Sequence, residues 1–250
     1  MTRTATSGFS LERRGTREAR GFTLVELMIA IAIALFLVGG ILTLVQSTRN
    51  AFATQTTLAQ FQDNQRLTMT FMAEVIESAG YFPNPNLNTV GAVLPPTAPF
   101  TVAGQGVLGS VGDTVTVRFG AALNDNVFGC NGAQNLTVAP YDVYISTFSV
   151  DPVNQQLVCT LTNGAGLQPP VILVNQVTNL QAVYGVKRSP ADTGSCTDTY
   201  LSTALMLPTD WPNVCSVTVT VTFVNPTSKT GAPVSITRVI AVMNAAGVNS

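Results

Sequence analysis

The feature that most constrains this chain is an apolar run near its start, RGFTLVELMIAIAIALFLVGGILTLV, which spans residues 20–45. From Leu27 to Val45 the run has 19 residues, and none of them is charged. At about 1.5 Å of rise per residue they form a helix about 28 Å long, close to a hydrocarbon core of about 30 Å. The run therefore predicts one membrane-spanning helix.

Charge is distributed unevenly on the two sides of this run. Residues 1–21 contain five arginines and two glutamates, a net charge of +3, whereas the rest of the chain carries seven basic and eleven acidic residues, a net charge of −4. Basic residues that flank a first span stay in the cytoplasm, so the remainder is predicted to lie on the other side of the membrane. An acidic exported part without a basic cluster argues against nucleic-acid binding.

Glu26 is out of place in such a run, because an unpaired charge in hydrocarbon costs about 3 kcal/mol. A secretory signal peptide does not explain it, since the run is long and no Ala-x-Ala pattern follows. Cleavage between Gly21 and Phe22 would explain Glu26, because it frees the amine of Phe22. This amine lies on the helix face that carries Glu26, about 6 Å away along the axis. The sequence thus predicts a cleaved basic leader over residues 1–21 and a carboxylate–amine pair.

The same stretch, GFTLVE before an apolar run and after a short basic leader, resembles the type III signal of type IV prepilins and pseudopilins. The resemblance implies that a prepilin peptidase cuts after Gly21 and N-methylates Phe22. Two roles stay open for Glu26: it neutralises the amine of its own chain, or it meets the amine of a neighbouring subunit during assembly, which the resemblance favours. A second Gly-Phe-x-Leu sequence, at Gly8, lacks the apolar run, and we expect the peptidase to ignore it.

Helical periodicity continues beyond the span, so residues 22–45 are predicted to form a transmembrane and filament-core helix and residues 46–79 its amphipathic continuation. The alternative is two helices broken near QSTRN, residues 46–50. Gly39 and Gly40 favour either a close approach of helices or a local weak point. The resemblance to major pilins, which lose helix there in filaments, tips the balance to the weak point. The predicted buried face comprises Leu58, Phe61, Thr68, Met69, Met72, Val75, Ile76 and Ala79.

Residues 80–250 are predicted to form a β-rich periplasmic domain. After a loop from Tyr81 to about Thr114, runs of β-branched residues alternate with turn sequences, as in antiparallel hairpins. The predicted strands are Thr114–Phe119, Asp142–Val150, Gln155–Leu161, Pro170–Val186, Ser216–Val224 and Ser235–Met243. A long N-terminal helix packed on such a sheet gives an α+β, pilin-like fold.

All four cysteines lie in the exported part, where an oxidising compartment favours two disulfides. A zinc site is disfavoured because the chain has no CxxC pair. On spacing we pair Cys130 with Cys159 and Cys196 with Cys215, although the sequence leaves the other two pairings open. Trp211 and Tyr200, in the second cysteine loop, either cover a small core or form a patch for a partner.

The composition argues against an enzyme. The chain has no histidine, which removes Ser-His-Asp and Cys-His nucleophile schemes and histidine-based metal sites. It has no phosphate-binding glycine loop between a strand and a helix, and its carboxylates are scattered. The LNDNVFG sequence around Asp125 is predicted to be a turn rather than a calcium loop. We therefore expect no catalytic residue, no metal and no cofactor.

A second resemblance rests on sequences from the apolar run to the last strands, namely AIALFLVGG, ESAGY, FGCNG, YDVYIST, QLVCTL, ILVNQVTNLQAVYGV and SVTVTVTFV. In these the chain resembles a narrower group, the PilW family of minor pilins. The resemblance implies a structural subunit of a type IV pilus that helps to prime pilus assembly, sits at or near the tip and reaches the cell surface within the pilus. Its partners would be other minor and major pilins, the prepilin peptidase, the inner-membrane assembly platform and a tip adhesin, with motility, adhesion or DNA uptake downstream. The alternatives are a type II secretion pseudopilin and a membrane-anchored periplasmic binding protein.

Overall fold

A computed structural model describes residues 21–110, 114–189, 196–228 and 230–243 of the chain. The predictions for residues 1–20, namely the basic leader and the second Gly-Phe sequence, lie outside the described residues. The chain divides into two compact units, the first ending at Ala53 and the second beginning at Thr54.

The first unit is the beginning of a long helix, α1, which extends from Leu24 to Glu77. Every described residue of this unit, from Gly21 to Ala53, is exposed. Within the described part of the chain, α1 is the one helix that is long and apolar enough to cross a membrane. Its apolar side chains therefore need lipid or another molecule to cover them, because the hydrophobic effect disfavours leaving so much of such a surface in water.

The part of α1 that belongs to the second unit buries one face. Phe61 is the first buried side chain, and its ring meets the ring of Phe223 edge-to-face at 5.5 Å between centroids. The predicted burial of Leu58 is wrong, since this side chain is 38% exposed and lies almost one turn before the covered part of the helix begins. The buried residues of α1 are Phe61, Gln65, Thr68, Met69, Met72, Ala73, Val75 and Ile76.

The helix ends two residues before the predicted end at Ala79. Gly80 follows with a φ of 75°, the left-handed conformation that favours glycine after a helix. The backbone N–H of Gly80 donates to the carbonyl oxygen of Arg118 at 2.9 Å. The end of α1 is thereby fixed to the first sheet. A short helix, α2 (Val90–Val93), lies in the segment that was predicted to be loop.

The first sheet has six strands, all paired antiparallel. Its order is β1-β2-β3-β4, and both β5 and β6 pair with the far edge of β4. β1 lies within the segment predicted to be loop, whereas β2, β3 and β4 correspond to three predicted strands. The strands are β1 (Val107–Ser110), β2 (Thr114–Ala122), β3 (Tyr141–Asp151), β4 (Gln156–Asn163), β5 (Gly166–Leu167) and β6 (Val171–Asn175).

The second sheet has four strands in the order β10-β9-β7-β8. The prediction of one strand over Pro170–Val186 is wrong, because Gln176 has a φ of 65° and separates β6 from β7. The chain changes sheets at this residue, so the domain contains two antiparallel sheets instead of one. The α+β class is confirmed. The strands are β7 (Val177–Val186), β8 (Thr199–Ser202), β9 (Val214–Phe223) and β10 (Val234–Ala241).

The core of the second unit combines the covered face of α1 with the inner faces of both sheets. Strand β9 shows the pattern most clearly, since Val217, Val219 and Val221 are fully buried while the threonines between them face outward. This alternation is what a sheet with one covered face requires.

Candidate processing and assembly site

The predicted cleavage site lies just outside the first turn of α1. Gly21 and Phe22 are exposed, and neither belongs to the helix. Thr23 caps it: its carbonyl oxygen accepts from the backbone N–H of Leu27 at 3.2 Å, and its Oγ1 accepts from the backbone N–H of Glu26 at 3.3 Å. Thr23 is therefore the N-cap, and Glu26 is the third residue of the helix.

Glu26 lies where a helix dipole favours an anion. Its side chain is exposed, and in the described part of the chain it forms no ion pair. A carboxylate at this position, on a helix that needs an apolar environment, calls for a cationic partner. The amine that cleavage would create at Phe22 is one such cation.

Gly39 and Gly40 lie in the exposed apolar part of α1, and the helix continues through them without a break. No atom lies within 4 Å of the position that a Cβ would take at either glycine, apart from the helix backbone around it. A neighbouring helix could thus approach closely here, while the glycines also weaken the helix by about 1 kcal/mol each relative to alanine. The weak point stays a prediction. The break considered near residues 46–50 does not occur, because these residues are helical.

Two disulfides stabilise the β domain, and they join the two pairs chosen on spacing. Cys130, in the loop between β2 and β3, is bonded to Cys159 on β4 with 5.9 Å between Cα atoms. Cys196 is bonded to Cys215 at the start of β9 with 5.8 Å between Cα atoms. The first bridge is fully buried, and it fixes a long loop to the first sheet.

The second cysteine loop is further held by an ion pair. The Arg188 guanidinium donates from Nε and Nη2 to the two carboxylate oxygens of Asp210, at 2.9 and 2.6 Å. Asp210 is buried and also accepts from the backbone N–H of Leu207 at 2.7 Å. The hydrogen bond from Arg188 lowers the pKa of Asp210. Sequence analysis did not identify this pair, because its members are 22 residues apart and carry no local signal.

The two aromatic residues of the second cysteine loop have different environments. Trp211 is buried, and its ring meets the ring of Tyr184 edge-to-face at 4.9 Å. Tyr200 is 61% exposed. The core interpretation therefore holds for Trp211, and the surface interpretation fits Tyr200.

Arg118 is a buried residue that sequence analysis missed. Its side chain is 1% exposed, and its guanidinium donates to the carbonyl oxygens of Pro95 at 2.6 Å and of Gln105 at 2.9 and 3.1 Å. The guanidinium carbon lies 4.3 Å from the centroid of the Phe100 ring. Burial lowers the pKa of Arg118 to about 10. This side chain fixes the loop before β1 against β2.

The Asp125 carboxylate is used within its own turn. One oxygen accepts from the backbone N–H of Ala122 at 2.6 Å, and the other accepts from that of Val127 at 3.0 Å. The turn prediction for this segment agrees with these bonds. Among the described residues, no group of three or more histidine, cysteine, aspartate or glutamate side chains is placed to hold a metal ion.

Two protein families match parts of the chain. Residues 16–42 match the prokaryotic N-terminal methylation motif, and residues 143–238 match the type IV pilus-assembly protein W family. No curated protein sequence is significantly similar. A solved structure of a type IV-like pilin from Thermus thermophilus is similar at 13% identity and a TM-score of 0.43, over 74% of this chain and 96% of that chain.

The methylation motif and the exposed apolar helix that overlaps it are features that this chain shares with type IV pilin-like proteins with a prepilin-type N-terminus, and they indicate membrane anchoring. Residues 143–238, in the β domain, are in turn similar to the PilW family of type IV pilus-assembly proteins. Pilins are structural proteins rather than enzymes, and their family implies processing by a prepilin peptidase and interaction with other pilins.

Proposed function

We propose that this protein is a minor pilin that helps to start assembly of a type IV pilus and sits at or near its tip. A peptidase removes residues 1–21, residues 22–45 cross the inner membrane, and the helix continues to Glu77 before the β-rich domain, which lies in the periplasm. The subunit then leaves the membrane and enters the filament. The PilW resemblance supports this role.

The observation that carries the proposal is the exposure of the apolar helix in the first unit. Its apolar part has no cover from the described residues, since all side chains from Phe22 to Val45 are exposed. Lipid can cover such a helix before assembly, and helices of neighbouring pilins can cover it afterwards. The helix thus exchanges one apolar environment, lipid, for another, the helices of its neighbours. Extraction from the membrane therefore need not expose it to water.

Glu26 supplies the specificity that apolar packing lacks. Once Phe22 is the first residue, its amine and the Glu26 carboxylate are two opposite charges in an apolar environment. Pairing within one chain or between chains offsets much of the cost of burying them. We propose that the assembled state uses the pair between chains, so that each incoming subunit is drawn to the correct depth by the amine or carboxylate of its neighbour.

The first experiment measures the mass and the N-terminal sequence of the protein purified from the membranes of its native host. We expect a chain that begins at an N-methylated Phe22. A chain that retains Met1, or one cut beyond Val45, would contradict the proposal. Deletion of the gene should then abolish pili while leaving protein secretion unaffected, and the opposite result would identify a secretion pseudopilin.

The second experiment tests Glu26 directly. The Glu26→Gln and Glu26→Ala variants should insert and lose the leader as wild type does, yet be absent from pili sheared from the cells. Glu74→Ala is a matched control, because it removes an exposed carboxylate from the same helix outside the apolar part. Incorporation of Glu26→Ala at the wild-type level would reject the charge pair.

A further inference from the structure

We infer that Thr23 is the residue that positions the Gly21–Phe22 peptide bond for cleavage. The inference deepens the proposed function and rests on it, since it assigns a role in leader removal to a residue that the charge pair does not involve. Thr23 acts on the scissile bond through the helix, so it is a positioning residue.

The geometry comes from two hydrogen bonds at the start of α1. The carbonyl oxygen of Thr23 accepts from the backbone N–H of Leu27, which makes Thr23 the last residue before the helix. The Thr23 hydroxyl oxygen accepts from the backbone N–H of Glu26 at 3.3 Å, and so satisfies one of the donors that the first helical turn leaves unpaired. The two bonds together fix Leu24 as the first helical residue.

The position of the helix start decides whether the bond can be cut. A protease binds its substrate through backbone N–H and carbonyl groups, and inside a helix most of these groups are already paired. Gly21 and Phe22 lie outside the helix and are exposed, so both sides of the scissile bond are available. The cap keeps Gly21 and Phe22 outside the helix, because it fixes the start of the helix directly after Thr23.

An apolar environment strengthens this dependence. Unpaired backbone N–H groups cost more where water is scarce, so a helix start without a cap would fray or move to another residue near the membrane surface. Either change would shift the bond relative to the helix. The peptidase would then meet the correct geometry in only a fraction of the molecules, and the apparent KM would rise by the inverse of that fraction.

The same reasoning separates the cleaved site from the second Gly-Phe sequence. Thr23 and Glu26 have the Thr-x-x-Glu spacing of a capping box, in which the fourth residue is acidic. After Gly8, the potential cap is Ser10, and the residue three positions later is Arg13. A cation in a first helical turn is unfavourable. The sequence therefore supports a capped helix start at only one of the two Gly-Phe pairs.

The test uses the full-length chain in lipid vesicles with a purified prepilin peptidase, and it measures kcat, KM and the site of cleavage by mass spectrometry. Thr23→Val keeps the shape and removes the hydroxyl, so kcat/KM should fall up to about fivefold through KM, the equivalent of a cap worth about 1 kcal/mol. Thr23→Ser should restore the wild-type value. Thr43→Val is the matched control, because the Thr43 hydroxyl donates to the Gly40 carbonyl oxygen within the same helix at 2.8 Å.

The outcomes distinguish this inference from the proposal on which it rests. If wild type is cut after Gly21 and Thr23→Val is cut at the same bond with the same KM, the role of Thr23 is rejected and the proposed function stands. An equal loss in Thr43→Val would also reject it, since any missing hydroxyl would then have the same effect. If wild type is not cut at all, the proposed function itself fails.

Discussion

Replacing Arg118 with methionine should destabilise the β domain more than the same replacement at an exposed arginine. Methionine is of similar length, but it cannot donate to the carbonyl oxygens of Pro95 and Gln105, which the guanidinium reaches at 2.6 and 2.9 Å. Each buried acceptor left without a donor costs about 1–3 kcal/mol, and loss of the contact with the Phe100 ring adds about 1–2 kcal/mol. Two such acceptors and the ring contact together give an expected loss of about 3–8 kcal/mol.

The stability of the β domain can be measured with the intrinsic fluorescence of one residue, Trp211. Trp211 is the single tryptophan and is buried against Tyr184, so its fluorescence reports unfolding of the domain. Urea unfolding of the full chain in detergent micelles should give the free energies for wild type and Arg118→Met. The slope with urea should stay constant if the variant keeps the same fold.

Two further variants make the result interpretable. Arg118→Lys keeps the charge but replaces the planar fork with one ammonium group, so its loss should be intermediate. Arg238→Met is the control, since Arg238 is exposed and its guanidinium donates to the Met69 carbonyl oxygen across a long distance of 3.5 Å. A loss below about 1 kcal/mol in Arg118→Met would refute the view that its hydrogen bonds hold the loop to the sheet.

Three other predictions concern the same domain. The Nε2 of Gln65 is buried and has no hydrogen-bond partner among the described residues, so Gln65→Met should raise the free energy of unfolding by about 1 kcal/mol, while the same exchange at an exposed glutamine of α1 should not. Replacing both Cys130 and Cys159 with alanine opens a loop whose ends are 29 residues apart, and the urea-derived stability should fall by about 3.6 kcal/mol on the loop-entropy model. Because the hydrogen bond from Arg188 lowers the pKa of Asp210, this carboxylate contributes stability that is present above the usual aspartate pKa of about 3.9 and is lost as the pH falls through the lower folded value. Arg188→Met should therefore flatten the decline in stability below about pH 4, and an unchanged decline would contradict the assignment.

Much of the fold could be predicted from the sequence because its signals are local. The apolar run before Val45 marks the membrane helix by composition alone. The alternation in β9 marks a strand with one buried face, and the structure has this strand at Val214–Phe223. Signals of this kind do not depend on what the rest of the chain does.

The elements that were missed depend on contacts between distant residues. Arg118 alternates with Val117 and Phe119, so the pattern places it on the outer face of β2. The loop that carries Phe100 covers that outer face, and nothing near Arg118 in the sequence indicates this cover. The change of sheets at Gln176 is similar, because a single left-handed residue that is neither glycine nor proline gives no turn signal.

In the candidate site, too, one residue could be found from a local sequence signal, whereas the other needed the structure. Glu26 could be found from the sequence because a charge within an apolar run is conspicuous, whatever its surroundings. The Thr-x-x-Glu spacing of Thr23 and Glu26 is also visible in the sequence, but a threonine is common near membrane helices, and the hydrogen bond from the Glu26 N–H is what identifies Thr23 as the N-cap. The two residues lie in one turn, yet the two proposals assign them different steps: the Thr23 hydroxyl would act while the leader is still attached, and the Glu26 carboxylate would act once the amine of Phe22 exists. On these proposals, leader removal converts a capped helix start into one half of a charge pair, and this order would let a single turn serve both processing and assembly.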